Sequence, residues 1–132
     1  MVHHWASDPP EGMSPRDLSR MTARYHTQTH GWGGHGYQFE IAPDGTVCNT
    51  GSIESIRASV WGLNDKVISA VLVGNLSAHQ PTEAQLASLR WLRFESGLIP
   101  PLENVGHRDI ALPQSPTACP GDTFEDWRGV LL

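Results

Sequence analysis

Three short segments carry side chains that could hold a metal ion. They are Val2-His3-His4 near the start, Gly106-His107-Arg108-Asp109 late in the chain, and Thr117-Ala118-Cys119-Pro120-Gly121 shortly after. Each puts a nitrogen or sulfur donor at the end of an apolar stretch or in a tight loop. Zinc takes tetrahedral sets of His and Cys, and a catalytic site keeps three protein ligands so that the fourth position stays open. His3, His107 and Cys119 would supply such a set, and seven histidines in 132 residues are enough to raise the question. Spacing alone is a weak signal. No local pattern such as His-Glu-x-x-His marks the site, and the first and last candidates lie over a hundred residues apart. An exposed His3, a loop His107 and a buried Cys119 is the ordinary reading, and on chemistry alone it carries more weight.

Positioning such residues requires a folded frame, and the pattern of the chain supplies one. Val2 to Trp5 is a short apolar-biased stretch suited to a strand end. Ser14, Pro15 and Asp17 form a helix start: a capping serine, a proline at the first helical position and an acid in the first turn. Leu18, Met21 and Tyr25 follow at helical spacing, and the helix stops before Gly31. Tyr37-Gln-Phe-Glu-Ile41 alternates as a strand, Pro43-Asp-Gly-Thr46 is a turn, and Val47-Cys48-Asn49 is the returning strand. Gly51 to Asp65 has no period and reads as a long loop of the kind that lines binding sites. Val67 to Val73 is nearly all apolar and β-branched, which predicts a central strand buried on both faces. Thr82 and Gln85 form a capping box opening a second helix, and Gly97 stops it. Its apolar residues (Leu86, Leu89, Trp91, Leu92, Phe94) cover more than one face, which predicts deep burial. Val105-Gly-His107 reads as a strand edge running into a loop. Thr123 to Val130 reads as a last short helix with Phe124 and Trp127 inward. Strands interleaved with helices predict an α/β fold: one domain over residues 1–132, with a central mixed β-sheet covered by helices.

Composition narrows the function. The net charge is −5 and Lys66 is the only lysine, so nucleic acid is not an expected partner. No apolar run approaches the ~20 residues needed to span a bilayer. Met-Val-His-His-Trp has neither the basic start nor the apolar middle of a signal peptide, so synthesis in the cytoplasm is expected. Two cysteines, Cys48 and Cys119, do not make a disulfide framework.

Several further segments, taken in order, resemble a known family. They are Val2-His3-His4-Trp5-Ala6, Tyr25-His26 with Gly31-Trp32, Gly36-Tyr37-Gln38-Phe39, Asp44-Gly45-Thr46, Gly62-Leu63-Asn64, Val71-Leu72-Val73-Gly74-Asn75, Pro81-Thr82 with Gln85-Leu86, Gly106-His107-Arg108-Asp109-Ile110, and Cys119-Pro120-Gly121. Singly each is weak; in this order across nearly the whole chain they are specific. The chain resembles the N-acetylmuramoyl-L-alanine amidases, which include phage lytic amidases and the peptidoglycan recognition proteins. The resemblance implies a zinc ion held by His3, His107 and Cys119, with Tyr37 and Thr117 assisting catalysis. It implies peptidoglycan as substrate, cut between N-acetylmuramic acid and L-alanine, by a monomer acting on the cell wall in the manner of a phage lysin or as part of a longer secreted protein. Members that only bind peptidoglycan typically lack the cysteine.

The chain departs from the family at Ser59, where a histidine is frequent, at Gly51-Ser52, where Gly-Arg is frequent, and at Gln38, which replaces a histidine. These departures bear on substrate contacts more than on the metal. Among the other residues, His4 points away from His3 along a strand, and His26 and Trp32 pack near the site. His30, His35 and His79 are expected to be exposed, and Cys48 to be a small core residue. Tyr37 shares a strand face with Phe39 and Ile41, so a packing role is open to it. Arg108 and Asp109 are placed to orient the ligand loop. No glutamate stands out as a general base. Two rivals remain: a peptidoglycan-binding receptor without turnover, and a cysteine hydrolase with Cys119 as nucleophile and His107 as base.

Overall fold

A computed structural model describes residues 1–132. The chain is built on a four-stranded mixed sheet in the order β1-β4-β2-β3. The strands are β1 (Val2–His4), β2 (Phe39–Ile41), β3 (Val47–Asn49) and β4 (Ala70–Leu72). β4 pairs in parallel with both β1 and β2, and β2 closes an antiparallel hairpin with β3. The expected central strand is therefore β4, with each of its three residues buried. The paired segments are shorter than the alternation predicts. Ahead of Phe39, the Gln38 main chain still bonds Ser69 and Thr50, and its side chain joins in: its Oε1 accepts the Ser69 amide at 2.8 Å while its Nε2 donates to the Ser55 carbonyl at 2.9 Å. Tyr37 lies before β2, outside the regular pairing.

Residues in register across a sheet share a face. One face carries Val2, Ala70, Phe39, Ile41 and Leu72, which pack with Leu89 and Leu92 into the main apolar core. The row between them runs His3, Val71, Glu40, Cys48. It points to the opposite face, which is covered by α1 (Pro15–Thr29). The two faces are thus chemically unlike: oil beneath one, and a partly polar row beneath the other.

α1 starts as its sequence predicts, with Ser14 Oγ accepting the Asp17 amide. Its buried stripe is Leu18, Thr22 and His26, one residue round from the expected Leu18, Met21 and Tyr25. The polar row explains the difference. Leu18 meets Ala42 and Val73 in a small apolar cluster, and Thr22 donates to Glu40 at 2.6 Å. Tyr25 is exposed. α2 (Glu83–Phe94) has the full capping box at Thr82 and Gln85. Gln85 is buried, and its Nε2 donates to the carbonyls of Ile41 and Val73, tying the helix start to the sheet. Burial all round α2 is not found: Leu89 and Leu92 are buried, while Trp91 and Phe94 are exposed, because only one side of the helix meets the sheet.

The last third of the chain is short elements and turns. A single parallel bridge joins Val2 to Gly106. His107 then opens a one-turn helix, α3 (His107–Ile110), where a loop was expected. α4 (Phe124–Trp127) and a 3-10 turn (Arg128–Leu131) complete the fold, with Phe124 and Trp127 buried as expected. No helix is long and apolar enough to cross a membrane.

Candidate functional site

His3, His107 and Cys119 come together. Their ligand atoms all lie within 4.8 Å of one another. The His3 and His107 rings sit 4.7 Å apart between centroids, and Cys119 Sγ is 3.5 Å from His3 Nδ1. Local structure explains the convergence of residues so distant in sequence. The Val2 amide donates to the Val105 carbonyl at 2.9 Å, which sets His107 beside β1. The Arg108 amide donates to the Cys119 carbonyl at 2.8 Å, and the Arg108 guanidinium bonds the Gly121 carbonyl, which draws the cysteine loop onto α3. Asp109 Oδ2 accepts the Gly106 amide at 2.8 Å and caps the same turn. Gly121 packs directly on the Leu76 main chain at a φ of +110°, so close that a Cβ would collide with it.

The donors suit a cation. His3 is buried, and its Nε2 has no hydrogen-bond partner. Burial, then the neighbouring His107, holds the His3 pKa well below the usual imidazole value, and burial lowers that of His107 too. Both rings are therefore neutral near pH 7 with a lone pair to give. Burial pushes the Cys119 thiol up to about 11. Nucleophilic cysteines have lowered pKa values, so this thiol is poorly set up to attack a carbonyl unaided. Two neutral imidazoles and a thiol with ligand atoms within 4.8 Å of one another are a donor set that a zinc ion fits. Both cysteines are free thiols, and Cys48 is partly buried against α1, with Sγ facing the Pro15 carbonyl at 3.6 Å.

Tyr37 and Thr117 join this cluster. The Tyr37 ring lies 4.8 Å from that of His3. Burial, then the charge of Cys119, raises the Tyr37 pKa, so its phenol keeps its proton. Thr117 Oγ1 accepts the Cys119 amide at 3.1 Å, which leaves its own hydroxyl proton free to donate. Beside Tyr37 opens a cleft of about 590 Å³ walled by Trp5, Met21, Tyr25, His30 and Trp32. The His30 and Trp32 rings stack at 4.8 Å.

Histidine placement departs from expectation at one position. His79 and His30 are exposed as expected, but His35 is buried and pairs with Glu40 at 3.2 Å. His4 is structural, its Nδ1 accepting the Leu76 amide at 3.1 Å. His26 does more than pack: its Nδ1 accepts the Gly36 amide at 2.9 Å. Glu40 is the residue that sequence reading missed. It lies in a strand read only as alternating, and β2 is an interior strand covered on both faces. A charge in such a strand has to be buried, and that was the available signal.

Comparison with known proteins agrees with the geometry. A family model described as N-acetylmuramoyl-L-alanine amidase matches residues 1–122. The human N-acetylmuramoyl-L-alanine amidase is 34% identical over 133 residues, covering 95% of this chain and 22% of that protein. The pig protein of the same name is 32% identical over 110 residues, covering 80% of this chain and 18% of its own length. The chain thus spans about a fifth of these relatives. Among solved structures, wild-type Drosophila PGRP-LB superposes with a TM-score of 0.75 at 27% identity, over 91% of this chain and 72% of that one. The amidase LysC of Clostridium intestinale gives 0.69 at 24% identity, over 97% and 80%, a likeness of fold. With a family match running from residue 1 to residue 122, this chain belongs to the N-acetylmuramoyl-L-alanine amidases.

Proposed function

We propose that the chain is a zinc-dependent amidase that hydrolyses the amide between N-acetylmuramic acid and L-alanine in peptidoglycan. The observation that carries this reading is the convergence of His3, His107 and Cys119, with donor atoms within 4.8 Å of one another. These three residues would hold the zinc, which when bound polarises a carbonyl and lowers the pKa of water toward ~7.

The chain's own groups supply the rest. The Tyr37 phenol, kept protonated by burial, donates a hydrogen bond to the carbonyl oxygen as negative charge develops on it. The Thr117 hydroxyl, fixed by the Cys119 amide, is a second donor. The aromatic cleft beside Tyr37 seats the muropeptide and excludes water from its apolar surfaces. Peptidoglycan as ligand is supported by a structural neighbour: PGRP-LE, with a TM-score of 0.82 at 22% identity, was solved with tracheal cytotoxin. The high thiol pKa of Cys119 argues against a cysteine hydrolase.

The same cleft favours a second reading, a receptor that binds muropeptide without cutting it. One experiment separates the two. The purified chain is loaded with zinc, its metal content is measured, and purified peptidoglycan is digested with and without chelator. Release of new L-alanine amino termini, lost on chelation and restored by zinc, is the expected result. A zinc-loaded chain that retains muropeptide but releases no amino termini would be the receptor. Release that survives chelation would reject zinc dependence.

A further inference from the structure

Tyr37 has no strand ladder to fix it. The segment before β2 is irregular: Gln38 still keeps main-chain bonds to Ser69 and Thr50, and the Tyr37 carbonyl accepts Thr50 Oγ1, but the amides ahead of them are held by imidazoles. The Gly36 amide donates to His26 Nδ1 at 2.9 Å, and the Tyr37 amide donates to His35 Nδ1 at 3.3 Å. The His35 carbonyl in turn accepts Arg57 Nη1 at 3.2 Å. Two imidazoles, one from α1 and one from the segment itself, thus receive consecutive amides leading into the tyrosine.

An imidazole nitrogen accepts only when it carries no proton. Accepting the Tyr37 amide therefore puts the His35 proton on Nε2, and Nε2 lies 3.2 Å from Glu40 Oε2. That oxygen also receives Thr22 Oγ1 at 2.6 Å and Trp5 Nε1 at 3.3 Å. Glu40 is buried, with its second oxygen unpartnered. Leaving a carboxylate oxygen bare inside a protein is costly, and an apolar residue at this position of β2 would avoid the cost. Glu40 lies in the same cross-strand row as His3, two strands away, so it does not reach the metal cluster directly. Its route to the site is through His35.

We infer that Glu40 and His35 are positioning residues for Tyr37: Glu40 fixes the His35 tautomer, and His35 holds the tyrosine main chain so that the phenol meets the reacting carbonyl. The inference rests on the reading of Tyr37 as a hydrogen-bond donor in the reaction. The chain of contacts runs carboxylate, imidazole, main-chain amide, phenol. It differs from a general acid–base relay, because no proton travels along it; its output is geometry. A misplacement of about 1 Å is enough to cost on the order of 100-fold in rate.

Two measurements test it. Nitrogen-15 NMR of histidine-labelled, zinc-loaded protein near pH ~7 should find His35 protonated on Nε2 and bare on Nδ1. An imidazolium or the Nδ1–H form overturns the inference, and this arm needs no turnover, so it decides even if the chain cuts no amide. The second measurement is a double-mutant cycle with Tyr37→Phe. His35→Phe in the otherwise native protein should lower kcat by about tenfold or more, with KM and zinc content within about twofold. In the Tyr37→Phe background the same change should lower kcat by less than about twofold, since there is no phenol left to misplace. Equal losses in both backgrounds would mark a general structural role and overturn the inference. If His35→Phe does not fold, Glu40→Gln of equal size goes through the same cycle with the same expectations. A Tyr37→Phe protein as fast as wild type would remove the donor role of Tyr37 and the positioning role with it. That result differs from additivity, which would remove the positioning role alone.

Discussion

Replacing Cys119 by alanine leaves two neutral imidazoles where the cluster had a sulfur donor as well, and such a pair binds zinc poorly. Cys119→Ala is expected to purify folded but with most of its zinc gone by elemental analysis; full occupancy would show that the thiol is not a ligand. Tyr37→Phe removes one hydroxyl and keeps nearly all the packing volume, so the fold and the zinc should survive. Turnover of zinc-loaded protein on peptidoglycan should fall by ~100-fold with little change in substrate binding, as for loss of an oxyanion donor. Rates equal to wild type would leave Tyr37 a packing residue. The five residues singled out from sequence lie together, because His, Cys and Tyr in a familiar order are legible one by one. The carboxylate two strands away is not. Glu40 has no motif, and its meaning depends on which faces of β2 are covered, a fact set by residues far along the chain.

Helix starts were legible because their signals are local. Ser14-Pro15 and Thr82 with Gln85 specify their turns within four residues, and both caps form. Which side of α1 faces inward was not legible, since Thr22 and His26 are buried only because Glu40 and Gly36 offer them partners. Strand ends failed for a similar reason: pairing is decided by the neighbour, and at Gln38 a side chain completes the ladder. Two tests belong to this scale. Gln85→Leu is close in volume but strips the Thr82 amide and the Val73 carbonyl of their partner. Leaving buried polar groups unpaired should cost ~2–3 kcal/mol in chemical denaturation; a change below ~0.5 kcal/mol would mean that water or a shift of α2 replaces the contacts. Gly121→Ala would force the cysteine loop away from Leu76, and a drop in both zinc content and thermal midpoint is expected.

At the scale of the whole molecule, the polar face of the sheet makes the fold sensitive to acid. Burial lowers the His26 pKa from 6.5 to about 4. The unfolded chain takes up a proton below pH ~6.5 that the folded chain refuses until about pH 4. Stability from this residue is therefore complete above pH ~6.5 and falls as pH drops through the window between. His26→Gln should give a shallower fall in Tm across that range than wild type, measured by thermal melts at fixed ionic strength. Parallel profiles would assign the acid sensitivity to other groups. The α/β class and the sheet flanked by helices were legible from the alternation of patterns along the chain. The division of that sheet into an oily face and a polar one was not, because it arises from register between strands nearly seventy residues apart.

The cluster joins residue 3 to residue 119, and this separation has a consequence for how the folded chain withstands digestion. A metal ion held there pins a loop of 116 intervening steps. Because the site exists only in the folded chain, binding there stabilises the folded state by an amount that grows with free zinc relative to its dissociation constant. The ion would then act as a rivet against proteases as well as a chemical group, since cleavage by a protease requires the chain to open first. Zinc-loaded protein should be digested more slowly than the same protein in chelator under native conditions, even by a protease that needs no metal itself. Resistance to digestion would then be lost at the same free-zinc concentration at which the site empties.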